Sequence, residues 1–176
     1  DGMDILNGNA TGEGDAGAGG GIRVNGADVR LSLRNTIIHM NIAKYGGGLS
    51  ILNGGHVTFG DHTYIMQNHS MADGGGIYLA TGSSLEIPQD TPLINGLQTE
   101  TRITQITKGF WFNNVIEGNN CIDQGGGIYA SSGSTITGRN FSIINNYADI
   151  TTTTSQGGVI YLGDQASAEL TGVSIH

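Results

Sequence analysis

Gly74-Gly75-Gly76-Ile77-Tyr78-Leu79 decides the fold, because variants of it return along the whole chain. Earlier copies are Gly19-Gly20-Gly21-Ile22-Arg23-Val24 and Gly46-Gly47-Gly48-Leu49-Ser50-Ile51. Later ones are Gly125-Gly126-Gly127-Ile128-Tyr129-Ala130 and Gly157-Gly158-Val159-Ile160-Tyr161-Leu162. Measured at the first apolar residue, the steps are 27, 28, 51 and 32 residues. Periods of this size mark a repeat architecture, in which one unit cannot bury its own apolar face and must stack on its neighbours.

Each unit holds three short runs with strand-like alternation. In unit 19–45 they are Ile22-Arg23-Val24, Val29-Arg30-Leu31-Ser32-Leu33 and Ile37-Ile38-His39-Met40-Asn41, and unit 46–73 repeats the order. Twenty-seven residues leave no room for helices between three strands, and no regular two-residue hairpin signal joins them. Stacking successive units in register resolves this, since each strand then pairs with its counterpart one coil away. The expected fold is all-β: a right-handed, single-stranded parallel β-helix of roughly six coils, about 4.8 Å apart. It forms one segment, 1–176, taken as a piece of a longer chain. Ile22, Leu49, Ile77, Ile128 and Ile160 should form one interior ladder, and Val29, Val57, Leu85, Phe110 and Ile136 a second.

A further signature precedes the glycines: Leu6-x-x-Asn9, Ile38-x-x-Asn41, Ile65-x-x-Asn68, Ile116-x-x-Asn119 and Ile143-x-x-Asn146. Asparagine tolerates a left-handed bend, and its amide can bond to the same residue one coil away. The 51-residue step is expected to split into coil 74–100 and a degenerate coil 101–124, in which Phe110-Trp111-Phe112 replaces the second strand. A loop excursion over 88–108 is the alternative. Thr151-Thr152-Thr153-Thr154-Ser155 looks like a polar insertion at a turn.

Composition agrees with stacking. Glycine supplies 31 of 176 residues and proline 2, while charged residues are only 12%. Like charges in adjacent rungs would repel, so Ser, Thr and Asn fill the exterior columns instead. The net charge of −8 with scattered basic residues argues against nucleic-acid binding. No apolar run is long enough to span a membrane. Cys121 is the single cysteine, so it has no internal disulfide partner, and its expected role is a small apolar filler.

The paired Gly-Gly-x-Ile and Ile-x-x-Asn signals resemble the repeats of the chlamydial polymorphic membrane proteins, which read Gly-Gly-Ala-Ile and Phe-x-x-Asn. The resemblance covers nearly the whole chain. It implies the secreted passenger of an autotransporter, extracellular or displayed at the cell surface, serving adhesion.

Chemistry is sparse. A polysaccharide lyase needs carboxylates converging on Ca²⁺ beside a Lys or Arg base, and a glycoside hydrolase needs paired acids. The outward columns Arg23, Ser50, Tyr78, Thr104, Tyr129, Tyr161 and Arg30, Thr58, Glu86, Trp111, Thr137, Glu169 stack no two carboxylates on neighbouring coils. Gly12-Glu13-Gly14-Asp15 is one incomplete copy of a Ca²⁺-binding nonapeptide and is better taken as a turn. The five histidines show no metal spacing, with His62 and His69 expected in solvated turns. No cofactor or metal is expected. Sequons at Asn9, Asn68 and Asn140 are chance matches, Asn9 and Asn68 being assigned to the interior. The candidate binding residues are the exterior aromatics Tyr78, Trp111, Tyr129 and Tyr161, which either contact sugars or partner chains or simply support one another across coils. The chain is therefore expected to be a non-catalytic adhesin passenger or display stalk, with other protein chains or surface glycans as partners. The alternatives are a subunit of an extracellular filament, or a carbohydrate-active enzyme whose site lies on other coils.

Overall fold

The structure is a computed structural model and describes residues 2–88, 114–149 and 157–176. It is a parallel β-helix. Four strand positions recur in each coil, and each makes its own sheet by pairing with the same position one coil away. The first sheet stacks Ile22–Asn25, Leu49–Leu52, Ile77–Leu79, Ile128–Ala130 and Ile160–Leu162. The second stacks Arg30–Leu33, His56–Phe59, Ser84–Ile87, Thr135–Arg139 and Ser167–Thr171. The third has six rungs, from Asp4–Leu6 through Thr63–Met66 to Ser174–Ile175. A fourth position, only two residues long, runs from Asn9–Ala10 to Tyr147–Ala148.

The first interior ladder is as expected: Ile22 pairs with Leu49, Leu49 with Ile77, Ile77 with Ile128 and Ile128 with Ile160. Leu49, Ile77 and Ile128 are fully buried. The second ladder needs a correction. Leu31, not Val29, pairs with Val57, and Val29 is exposed at the corner. The turn after Asn25 is one residue longer than in the later coils, with Gly26 at φ +122°. Val29, Leu31 and Leu33 share a parity, so alternation alone cannot choose among them.

The 51-residue step also resolves differently. Leu85 pairs directly with Val57 on one side and Ile136 on the other. With Ile77 lying directly on Ile128, no rung remains for a separate coil 101–124. Between those two rungs the described residues give Ser84–Ile87 to the second sheet and Val115–Glu117 to the third. The alternative, an excursion over 88–108, falls on residues that lie, beyond Pro88, outside the described ones. Phe110, Trp111, Thr104 and the Thr151–Ser155 insertion lie outside the described residues.

The glycine triplet has three separate causes. Its first member takes a left-handed backbone in every copy, as at Gly46 (φ +64°) and Gly74 (φ +67°), where a side chain is strained. At the second, an added Cβ would overlap main-chain oxygens: at Gly75, those of Asn120 and Gly126. At the third it would press on the asparagine column; at Gly48 the nearest atom is Asn68 Nδ2, at 2.9 Å.

That asparagine column is the polar spine of the core. Asn41 Nδ2 donates to Asn68 Oδ1 at 3.0 Å, Asn68 Nδ2 to Asn119 Oδ1 at 3.0 Å and Asn119 Nδ2 to Asn146 Oδ1 at 2.8 Å. Each oxygen also accepts the backbone N–H of the preceding asparagine, at 3.0–3.1 Å. The second amide hydrogens reach Ile5, Ile38, Ile65 and Ile116 carbonyls at 2.8–3.0 Å. The amides thus satisfy buried main-chain groups that no strand partner reaches.

Asn9 does not belong to this column. It is exposed and pairs with Ile42, while Gly8 holds the equivalent place and donates its N–H to Asn41 Oδ1 at 2.8 Å. The inward residue of that rung is Ile5, paired with Ile38; Leu6 is exposed. The left-handed bend also falls one residue before the asparagine, at Asn7, Met40, Gln67, Gly118 and Asn145, with φ between 52° and 61°. Near the C-terminal end the core makes a local exchange. Gly138 occupies an inward position where Ile87 and Leu170 stand on the adjacent rungs. An added Cβ there would meet the ring of Phe141, which is fully buried.

Candidate binding surface

Three of the four aromatics singled out from sequence come together on the outer face of the first sheet. Tyr78 pairs with Tyr129 and Tyr129 with Tyr161. Their rings stack with centroids 5.0 and 5.1 Å apart and planes within 3° and 7° of parallel. The separation matches one rung, so the rings pile along the axis of the helix and each covers its neighbour's face. Trp111 lies outside the described residues.

Tyr45 joins the stack and was not singled out from sequence. Its ring centroid lies 5.3 Å from that of Tyr78, tilted by 42°. It comes from the position before the glycine triplet, where Ala18 bridges to it. The first sheet offers only Ser50 at this rung, and Ser50 is fully buried, its hydroxyl donating to the Tyr45 carbonyl at 2.7 Å. A serine where the tyrosine column ends, with a tyrosine five residues upstream, was the available signal. Lys44 Nζ sits 5.8 Å from the Tyr45 centroid and pairs with Glu13 at 2.7 Å. That pairing holds Glu13, and Arg23 Nη1 donating to the Asp15 carbonyl at 2.6 Å holds Asp15, at the 3-10 turn Gly14–Gly17.

Burial is the main influence on this face. It raises the Tyr78 phenol to about 12, helped by Tyr129 and Asp73, and pushes Tyr129 upward as well. The Asp73 carboxyl is raised to about 6, first by burial and then by the Asp123 charge. The Cys121 thiol, 1% exposed, is pushed by burial up to about 12. At neutral pH it stays a thiol, in keeping with its role as an apolar filler.

This arrangement narrows what the aromatic row can contact. With Tyr78 and Tyr129 each lying between two neighbouring rings, the row turns ring edges and phenols outward. Face-on stacking of a sugar, which needs an open ring face, is unavailable at Tyr78 and Tyr129.

The second sheet's outer face carries a polar cluster. His56 Nδ1 is 2.7 Å from Ser84 Oγ, and His56 Nε2 is 3.0 Å from Thr58 Oγ1 and 3.7 Å from Glu86. These groups stand directly above one another in the ladder. Arg30 pairs with His56 rather than Thr58, and Ser32 takes the place beside Thr58 expected for Arg30. Thr58, Glu86, Thr137 and Glu169 keep their column. His62 lies at a left-handed turn, whereas His69 belongs to the two-residue strand and contacts Asn120. Of the sequons, Asn68 is buried, and Asn9 and Asn140 are exposed. No group of three or more His, Cys, Asp or Glu among the described residues is placed to hold a metal ion.

No protein-family model matches the chain, and neither a curated protein nor a solved structure does.

Proposed function

We propose that the chain is a non-catalytic, rigid segment of a secreted or surface-displayed protein, acting as an adhesin passenger or display stalk. The observation that carries this reading is the unbroken register of identical positions from rung to rung. The aliphatic ladders join successive coils, the asparagine spine links the rungs from Asn41 to Asn146 and the parallel tyrosine stack those from Tyr78 to Tyr161, all along the same axis. In such a solenoid, length grows linearly with repeat number, and the exterior can vary while the interior columns persist. The resemblance of the Gly-Gly-x-Ile and Ile-x-x-Asn repeats to autotransporter passengers supports the extracellular placement. The row of tyrosine edges and phenols gives a partner chain or a surface glycan a fixed line of hydrogen-bonding groups.

The test is surface labelling of intact cells that make the protein, using antibodies against residues 1–176. Labelling that disappears when the cells are shaved with protease is the expected result. Labelling only after lysis would overturn the proposal.

A further inference from the structure

The column of left-handed residues beside the third sheet reads Asn7, Met40, Gln67, Gly118 and Asn145. Four of the five carry side chains. Gly118 does not, and a notch of about 380 Å³ opens there, lined by Met66, Gln67, Glu117, Gly118 and Asn145. Its width follows from the fold. Gln67 and Asn145 belong to the rungs on either side of Gly118, so they stand about 10 Å apart, twice the spacing between strands. The walls are held in place: Gln67 N–H donates to the Glu117 carbonyl at 2.9 Å and Gly118 N–H to the Ile144 carbonyl at 3.0 Å. Met66 and Glu117 are paired neighbours on the adjoining outward column.

We infer that this notch binds one unit of a neutral sugar. Its volume is at the small end of ligand pockets. Two amides that both donate and accept, beside a carboxylate that only accepts, match the hydroxyls of a sugar, which do both. The Met66 thioether offers an apolar surface to the C–H side of the ring. The carboxylate and the net charge of −8 disfavour acidic sugars and phosphate-bearing ligands. The inference concerns binding alone and does not depend on where the protein is displayed.

The column supplies its own control. Asn145 occupies the same backbone conformation (φ 53°, against 61° at Gly118), and a Cβ at Gly118 would meet only Gln67 Cγ, at 3.6 Å. Gly118→Asn therefore fills the notch with a residue the fold already accepts. The experiment titrates ¹⁵N-labelled protein with the methyl glycosides of glucose, galactose, mannose and N-acetylglucosamine, then with oligosaccharides ending in each. At least one should shift the amides of Gln67, Glu117, Gly118 and Asn145. Glu117→Gln should weaken that binding about tenfold, the effect of losing hydrogen bonds to a charged group. Gly118→Asn should abolish it without lowering the melting temperature. Binding by oligosaccharides alone, at the same amides and lost in Gly118→Asn, supports the inference and places the ligand within a glycan chain. Three results overturn it: no sugar shifts these amides, Gly118→Asn binds as well as the parent, or the shifts centre on Tyr78, Tyr129 and Tyr161.

Discussion

Replacing Asn68 by alanine removes four hydrogen bonds from the middle of the core. Its oxygen accepts from Asn41 N–H at 3.1 Å and Asn41 Nδ2 at 3.0 Å, and its amide donates to the Ile38 carbonyl at 2.9 Å and Asn119 Oδ1 at 3.0 Å. The losses are unequal. Asn119 Oδ1 keeps the Asn68 backbone N–H at 3.0 Å, and Asn41 Nδ2 keeps the Ile5 carbonyl at 3.0 Å. The Asn41 N–H and the Ile38 carbonyl lose their side-chain partner in a fully buried place. An orphaned buried group costs ~1–3 kcal/mol, so with the vacated volume the expected loss is about 3–5 kcal/mol, a large part of a typical domain's stability. Asn68→Asp should be worse at neutral pH, because one carboxylate oxygen then faces two acceptors. Its folded-state pKa is raised above the usual ~3.9, so its stability is greatest below that value and falls as pH rises. Asn9→Ala is the control. Asn9 is exposed and outside the column, and its loss should stay within about 0.5 kcal/mol. Urea unfolding followed by circular dichroism measures all three, with comparable slopes confirming a shared unfolded state. An Asn68→Ala protein within about 1 kcal/mol of the parent, or an Asn9→Ala protein equally weakened, would refute the reasoning.

Gly75→Ala should cost more than ~3 kcal/mol or prevent folding, because the new methyl overlaps backbone oxygens that cannot move independently. Gly82→Ala, at φ +68° with nothing within 4 Å, should cost only the ~1–2 kcal/mol of left-handed strain, and thermal melts of the two compare them. Tyr129→Ala opens the stack between Tyr78 and Tyr161 and should cost ~2–4 kcal/mol in urea unfolding, counting lost burial and two ring contacts. Asp73 adds a pH dependence. Its carboxyl is raised from 3.8 to about 6 in the folded state, so the stability it contributes is present in full below 3.8 and is lost as pH rises through about 6. Asp73→Asn should remove that slope and melt higher than the parent at neutral pH, as read from melting temperature against pH.

Much of the architecture was legible because stacking repeats each signal several times. Ile22, Leu49, Ile77 and Ile128 follow a glycine triplet that three steric demands hold in place, Ile160 follows Gly157-Gly158-Val159, and all five fell in register. Asn41, Asn68, Asn119 and Asn146 were legible for the same reason. What failed was phase. Val29 has the parity of Leu31, and Asn9 sits one place past Gly8, where an end rung has no asparagine. The apolar, outward, apolar order of Phe110-Trp111-Phe112, which lies outside the described residues, suggested a second strand, but local alternation carries no information about which rung a strand joins. That depends on pairing 51 residues away, between Ile77 and Ile128. The candidate sites were less legible than the core. Tyr78, Tyr129 and Tyr161 were visible as a column, whereas Tyr45 entered from the neighbouring turn. The Gly118 notch exists only as a missing side chain among its stacked neighbours.

The most direct test is whether Ile77 rests on Ile128. In an isotope-labelled sample, nuclear Overhauser contacts should link the Ile77 and Ile128 side chains and the Tyr78 and Tyr129 rings, with Leu49 on the opposite side of Ile77. Contacts from Ile77 to Ile103, the residue seven places before Phe110 that would begin the first strand of a coil 101–124, in place of Ile128 would put an extra coil between them and contradict the register. Cross-strand contacts of antiparallel type would contradict the β-helix altogether.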